Sequence, residues 1–149
     1  MSIVHELGHD ECLELLRSRR TGRVAVGAPD GPHIIPVNYT VHQDTVYLRT
    51  TPYSVLGTYG RNTLVAFEVD ELDEAEERGW SVVARGRCNA VMDPSEIRRI
   101  THAAGPRPWA VGHRTLLLAL QWRELTGRRL PGKATDAEAP LLGGRPVLP

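Results

Sequence analysis

The chain has 149 residues, which is enough for one domain with a single core and too few for two domains of ordinary size. Charged residues make up 24% of it and the formal net charge is +0, so the overall balance indicates neither a nucleic-acid-binding surface nor an acidic tail. The two cysteines, Cys12 and Cys88, lie far apart and indicate neither a disulfide framework nor a thiolate metal site. No apolar run is long enough to cross a bilayer and no secretory leader is recognisable, so we expect a cytoplasmic protein without membrane association.

The first motif in the chain is HELGH at residues 5–9, which formally matches the H-E-x-x-H zinc motif. In that motif two imidazoles one helical turn apart bind the metal, and the glutamate activates water. Here Gly8 lies inside the motif and almost no chain precedes it, so a helix at this place would hold its ligands weakly. Two exposed histidines near a helix start are the simpler interpretation, and a zinc hydrolase acting through His5, Glu6 and His9 is a minor alternative.

A helix and a short strand are predicted next. Asp10 can cap a helix with an apolar stripe at residues 12–16, and the arginines at residues 17–20 suit its C-terminal end. Gly22 is expected to end this helix. Residues 23–26 then read as a strand that stops at a turn rich in glycine and proline.

Residues 33–54 predict a β-hairpin that ends in a cluster of polar groups. The apolar residues 35, 37, 39 and 41 recur at every second position, and residues 46, 48 and 50 do the same on the return, as in strands with one buried face; residues 42–44 form a polar turn between them. The returning strand ends in Arg49, Thr50, Thr51 and Ser54, with Arg61 soon after. A guanidinium, hydroxyl groups and the amides of a helix start suit a phosphate, but the same residues also fit an ordinary polar strand end.

The remaining elements alternate between strands and short helices. Residues 55–60 predict a short helix capped by Ser54 or Thr51, residues 64–69 a strand, residues 70–79 an acidic loop, and residues 80–91 a strand. Asp93 and Pro94 begin a helix, residues 102–112 predict a loop, and residues 115–125 a last strand. We therefore predict one α+β domain over residues 1–130, a small antiparallel barrel, closed or half open, with helices outside it. Residues 131–149 are expected to be a poorly ordered tail.

Six segments, taken in order, resemble the pyridoxamine 5′-phosphate oxidase-like family of FMN-binding split barrels. They are ECLELLRSRRTGRVAV, HIIPVNY, VYLRTTPYS, LVAFEVDE, GWSVVARGRCNAV and TGRRL, and they span most of the chain from Glu11 to Leu130. By contrast, no dinucleotide-binding glycine loop, P-loop or serine-hydrolase elbow is present in the sequence. The resemblance implies a homodimer of small antiparallel split β-barrels with flanking helices, and a flavin at each subunit interface.

The resemblance also implies which residues hold the cofactor. Four strand residues line the isoalloxazine ring, the end of the hairpin holds the phosphate, and a tryptophan and an arginine come from the second subunit. The implied set is Pro36, Val37, Asn38, Tyr39, Arg49, Thr50, Thr51, Ser54, Val55, Arg61, Trp80 and Arg128, with Arg129 as an alternative to Arg128. The implied activity is that of an oxidoreductase acting on a small molecule through FMN, or through a deazaflavin as in some related split barrels. No catalytic side chain is required, because the flavin carries the electrons.

One position departs from the family pattern. Where many relatives place a lysine just after the serine of the hairpin end, this chain has Val55. An apolar residue there removes a positive charge from the expected phosphate site. Two functions therefore stay open at this point: a flavin-dependent oxidoreductase, and a non-catalytic split-barrel dimer that has lost FMN and binds another ligand or partner.

Overall fold

The structure is a computed structural model that describes residues 3–104 and 115–133. Within these residues the elements are β1 (His5–Glu6), α1 (His9–Arg17), β2 (Thr21–Ala28), β3 (Gly31–His42), β4 (Thr45–Thr50), α2 (Val55–Tyr59), β5 (Thr63–Asp73), β6 (Arg78–Ala90), α3 (Pro94–Ala104) and β7 (Leu116–Pro131). The strand predicted at residues 115–125 is confirmed. Most of the predicted loop before it and of the predicted tail lies outside the described residues. None of the described helices is long and apolar enough to span a membrane.

The strands form one antiparallel sheet that closes on itself. Their order is β1-β7-β4-β3-β2-β5-β6, and β6 pairs with β7 as well, from Arg78 opposite Pro131 to Ala90 opposite Leu118. The strands other than β1 therefore make a closed barrel, and β1 pairs with the far end of β7. This arrangement confirms the predicted α+β split barrel.

Strand β3 changes its partner halfway along its length. Residues 31–38 pair with β2, whereas residues 39–42 pair with β4. The last pair between β3 and β4 joins Tyr39 to Leu48, and β4 then continues to Thr50 beside β7 alone. The barrel is therefore split between residues 36–38 on one side and residues 49–50 on the other.

The core fills the inside of the barrel. Alternate residues of each strand point inward, as the period-2 patterns predict, and the fully buried ones include Val24, Val46, Leu48, Phe67, Val69, Val82, Leu118 and Leu120. A second, smaller cluster consists of Tyr47, Val91, Ile100 and Leu117. Because Tyr47 and Leu117 belong to β4 and β7 and Ile100 to α3, this cluster fastens α3 to the outer face of the barrel.

The predicted bounds of the first helix were wrong at both ends. Its N-cap is Gly8, which has no side chain for capping, and Asp10 lies within the first turn, where its charge still favours the helix dipole. The helix ends at Arg17, and Gly22 is a strand residue paired with Val37. Pairing with β3 and β5 overrides the local tendency of this segment, and Gly22 is needed because a Cβ atom there would lie 2.4 Å from the Phe67 ring.

The prediction of an acidic loop at residues 70–79 was wrong for most of that segment, which forms strand. Strand β5 runs to Asp73 and β6 begins at Arg78, so residues 74–77 alone form the connection. Arginines compensate the carboxylates of the strand ends: Asp70 lies 2.6 Å from Arg23, Asp73 lies 3.6 Å from Arg78, and Glu71 pairs with Arg19. A run of like charges can therefore form strand when the neighbouring segments supply opposite charges.

The HELGH segment does not form the helical face that a zinc site of this type needs. His5 lies in β1, whereas His9 is the first residue of α1. Two imidazoles on one face require a continuous helical turn between them. Among the described residues no group of three or more His, Cys, Asp or Glu side chains could hold a metal ion. The zinc hydrolase interpretation is therefore wrong.

Gly86 permits a very close approach of β6 and β7, where the barrel closes. The register of this pair shifts between Arg85 and Gly86, and a Cβ atom at Gly86 would lie 2.1 Å from the Gln121 carbonyl oxygen. We expect Gly86→Ala to lower the free energy of unfolding by about 1–3 kcal/mol in urea denaturation, because backbone must move to make room. Gly27→Ala is the matched control, since nothing lies within 4 Å of its added Cβ. Equal stability of the two variants would contradict this account.

Candidate functional site

The predicted phosphate-binding hydroxyls form a rigid hydrogen-bonded turn at the end of β4. The Ser54 hydroxyl donates to the Thr51 carbonyl oxygen at 2.8 Å, accepts from the Gly57 amide at 2.9 Å and lies 2.8 Å from the Thr50 hydroxyl. Ser54 is thus the N-cap of α2, as predicted. A Cβ atom at Gly57 would lie 2.1 Å from the Thr51 carbonyl oxygen, so the helix packs directly on the turn. Ser54 and Thr50 consequently shape the turn, and their hydroxyls are already bonded.

Two arginines next to this turn form no ion pair with any carboxylate in the part of the chain that the structure describes. An amino group of Arg49 donates to the Thr101 hydroxyl of α3 at 2.5 Å, and Nε of Arg61 donates to the Gly57 carbonyl oxygen at 2.7 Å. Both acceptors are neutral. By contrast, the arginines at positions 19, 23, 78, 85 and 129 all lie within 4 Å of a carboxylate. Arg49 and Arg61 are therefore two cations beside the turn that form no ion pair with a carboxylate of the described residues.

Residues 36–39 of β3, which were predicted to line the isoalloxazine ring, point alternately into the barrel and out of it. Val37 and Tyr39 point into the barrel and are 9% and 4% exposed. Pro36 and Asn38 lie on the outside, where the Asn38 amide donates to the Thr21 hydroxyl at 3.2 Å. A ligand outside the barrel can thus meet the side chains of Pro36 and Asn38, but only the backbone of Val37 and Tyr39.

Tyr39 links α1 to the barrel through a hydrogen bond and a ring contact. Its hydroxyl donates to the Leu16 carbonyl oxygen at 2.5 Å, and its ring meets the Phe67 ring edge to face at 4.6 Å between centroids. Leu16 belongs to the last turn of α1, whose carbonyl groups lack partners within the helix. Burial raises the pKa of the Tyr39 hydroxyl, so this group stays protonated and keeps donating.

Val55, the position that departs from the family pattern, is a packing residue. It is the first residue of α2, and its half-buried side chain packs against the barrel core. The turn therefore gains apolar contact where a lysine would bring a positive charge.

Trp80 and Arg128 lie at the opposite end of the barrel from the turn. Thr50 pairs with Leu116 at one end of β7, and Ser81 pairs with Arg128 near the other end. The span from Leu116 to Arg128 corresponds to about 40 Å along the strand. Trp80 is 8% exposed, lies under the Arg19 guanidinium at 5.8 Å, and borders an open cavity of about 380 Å³ together with Arg78, Arg129 and Leu130. One chain alone does not bring these residues to the turn.

Thr101, which no sequence pattern predicted as part of the site, accepts a hydrogen bond from Arg49. Thr101 lies in α3, 52 positions away along the chain. This helix is positioned by the small cluster around Tyr47 and Ile100, and by a 3.4 Å hydrogen bond from the Tyr47 hydroxyl to Glu96. No local pattern could have revealed the contact, because it depends on how α3 packs on β4.

Comparison with known proteins places the whole barrel in one family. Residues 8–129 match the family described as pyridoxamine 5′-phosphate oxidase. The uncharacterized protein Rv0080 of Mycobacterium tuberculosis is 33% identical over 132 residues, which cover 85% of this chain and 86% of the relative. A FAD binding protein from Mycobacterium smegmatis has a similar structure with a TM-score of 0.71 and 31% identity over 84% of this chain and 97% of that one. The structure of a candidate pyridoxamine 5′-phosphate oxidase from Corynebacterium glutamicum is also similar. Its TM-score is 0.73 and its sequence identity is 30%, over 88% of this chain and 96% of that one.

Tyr39→Phe separates the packing role of Tyr39 from a role in ligand binding. We expect the variant to lose about 1–3 kcal/mol of unfolding free energy, because the Leu16 carbonyl oxygen stays buried without its donor. Flavin affinity should not change, since the hydroxyl faces α1. Thermal or urea unfolding and a flavin titration on the same preparation measure both quantities. Unchanged stability with weakened flavin binding would show instead that the Tyr39 side chain serves the ligand.

Proposed function

Because the chain belongs to the pyridoxamine 5′-phosphate oxidase family, we propose that it binds a flavin nucleotide at the split in its barrel and acts as an oxidoreductase on a small molecule. The observation that carries this proposal is the divergence of β3 and β4 after the Tyr39–Leu48 pair. It places Pro36 and Asn38 on one side of an opening and the Arg49 turn on the other. The FAD bound by the M. smegmatis relative, at 31% identity, supports a flavin as the ligand.

The residues around the split fit the two ends of such a cofactor. Arg49 and Arg61 offer charged donors to a phosphate, and the outer side of β3 offers the Pro36 ring and the Asn38 amide to a flat heterocycle. When bound, the flavin supplies the electron transfer. The chain's own task is to bind it, orient it and shield one of its faces from water. FMN is the form implied by the family resemblance, and a deazaflavin would present a similar ring.

We propose further that a second copy of the chain completes the site. Ile34, Ala25 and Ala66 are direct neighbours across β3, β2 and β5, and Leu64 follows on the same face. Ile34 and Leu64 are 72% and 61% exposed, and the ion pairs Arg23–Glu68 and Arg85–Glu124 border this apolar patch. Large exposed apolar residues with small ones between them, inside a charged rim, are typical of a protein interface. A partner packed here could bring its Trp80 and Arg128 towards the turn.

The second candidate function is a split-barrel dimer that no longer binds a flavin. The packing of Val55 against the core favours it, because an apolar contact stands where a lysine would offer a charged donor to a phosphate. In that case the split would hold another ligand or remain a partner-binding surface.

Titration of the purified protein with FMN and FAD tests the flavin proposal. We expect saturable changes in visible absorbance and flavin fluorescence, and no saturation with either flavin up to its solubility limit would contradict the proposal.

Val55→Lys should raise FMN affinity about tenfold, because it adds a charged donor beside the phosphate. Val55→Met, which is also long but uncharged, is the control. A wild type without affinity that gains it through Val55→Lys would favour the second candidate function.

Ile34→Arg tests the apolar patch as the interface. We expect a dimer for the wild-type protein in sedimentation equilibrium and a monomer with weaker flavin binding for the variant, because the added guanidinium would be buried without a partner charge in the apolar patch. Ile3→Arg is the matched control, since Ile3 is 70% exposed but lies outside the patch. A monomeric wild type, or an undisturbed Ile34→Arg dimer, would contradict this interface.

A further inference from the structure

Arg23 of β2 binds two carboxylates of β5 at the same time. One amino group of its guanidinium donates to the Glu68 carboxylate at 2.9 Å and to the Asp70 carboxylate at 2.6 Å. These three side chains, the Arg23 triad, are between 25% and 40% exposed. Because two carboxylates share one cation, the triad carries one unbalanced negative charge when both are ionised. The ion pair between Arg85 and Glu124, by contrast, joins one cation to one carboxylate.

The triad stands on the outer face of the barrel, in the cross-strand row next to the apolar patch. Arg23 lies opposite Glu68, and two positions away on the same strands Ala25 lies opposite Ala66. An open cavity of about 130 Å³ is lined by these four residues and Ile34. A partner packed on the patch would therefore close this cavity and remove water from the triad.

We propose that two chains associate through the apolar patch with uptake of one proton by Glu68 of each chain. Since this coupling acts at the proposed dimer interface, it rests on the proposed function and adds the condition that controls it. The proton comes from solvent and neutralises the Glu68 carboxylate, so Arg23 and Asp70 remain as one balanced ion pair. Burial of a neutral acid beside a balanced pair costs less than burial of an unbalanced charge.

The surroundings of Glu68 in the single chain already favour its protonated form. Desolvation by burial raises the pKa of the Glu68 carboxyl, the nearby Asp70 charge raises it further, and Arg23 opposes both effects. Closing the cavity would strengthen the desolvation, so the pKa of Glu68 would be higher in the dimer than in the free chain. Protons are then bound on association, and the association constant rises as the pH falls from the higher pKa towards the lower one.

The neighbouring strands bring little further charge to Glu68. Strand β6 places Val83 directly opposite it, on the side away from Arg23. The charged residues of the next rows on β6 and β7 are Arg85, Arg123, Glu124 and Arg128. Arg85 and Glu124 lie 3.1 Å apart and form an ion pair with each other. Arg23 is therefore the cation in contact with Glu68, and its charge is shared with a second carboxylate.

Sedimentation equilibrium of the full-length protein as a function of pH tests the coupling. We expect the dimerisation constant of the wild type to rise at least about tenfold from about pH 7.5 to about pH 5.5, because each chain binds a proton on association. Glu68→Gln has no titrating group at this position, so its dimer affinity should no longer change with pH. Asp70→Asn leaves a single carboxylate for Arg23 and should flatten the pH profile as well. Glu124→Gln, the matched control, removes a rim carboxylate from a one-to-one ion pair and should keep the wild-type profile.

Dilution calorimetry of the wild-type dimer counts the same protons without any variant. The heat of dissociation is measured at one pH in buffers of different ionisation enthalpy, and its dependence on the buffer gives the number of protons released. We expect about one proton per chain at the pH where the sedimentation profile is steepest. The same heat in all buffers would contradict proton uptake by the dimer.

The outcomes separate the proton coupling from the interface at which it acts. A wild-type dimer whose affinity does not change with pH, or a Glu68→Gln dimer that keeps the full pH dependence, would overturn the coupling and leave the interface intact. Loss of the pH dependence in Glu124→Gln would overturn it too, because the effect would then belong to the charged rim in general. A wild type that stays monomeric at every pH would overturn the proposed interface and the coupling together.

Discussion

The divergence of β3 from β4 is the constraint on which the rest of the molecule depends. A strand that leaves its neighbour normally exposes a row of backbone groups and weakens the sheet. Here the long pairing of β6 with β7 closes the barrel on the other side, and β3 continues beside β2, so the sheet stays intact while an opening forms between residues 36–38 and 49–50. The same divergence directs the chain after β4 into the turn and α2, whose Leu56 is buried in the barrel core.

The hydrogen bonds that hold the turn after β4 and the positive charge beside it come from different residues. The Ser54 hydroxyl bonds to the backbone of Thr51 and Gly57, and the Thr50 hydroxyl bonds to the Ser54 hydroxyl. Charge is supplied from outside the turn by Arg49 and Arg61, whose hydrogen-bond acceptors are neutral. By contrast, the arginines at positions 19, 23, 78, 85 and 129 form ion pairs with carboxylates of the described residues.

The length of the β6–β7 pair separates the two halves of the expected cofactor site. Trp80 and Arg128 lie about 40 Å along β7 from the turn, so a single barrel presents either the turn or the Trp80 end to one ligand. In the proposed dimer, packing on the apolar patch of the outer face would have to bring the turn of one chain towards the Trp80 end of the other. Under the proposed function the fold would need no catalytic side chain of its own, because the flavin would carry the electrons.

The sequence by itself determined the features that local chemistry controls: the alternating strands, Ser54 as a helix cap, Asp93 bonded to the Ser95 amide at the start of α3, and the polar cluster at the end of the hairpin. These depend on residues a few positions apart. Tertiary structure alone decided that Gly22 and residues 70–73 join strands, that the Tyr39 hydroxyl serves α1, and that Thr101 holds Arg49. Each of these depends on a partner from a distant segment, and a local pattern does not show which segments will become neighbours when the barrel closes.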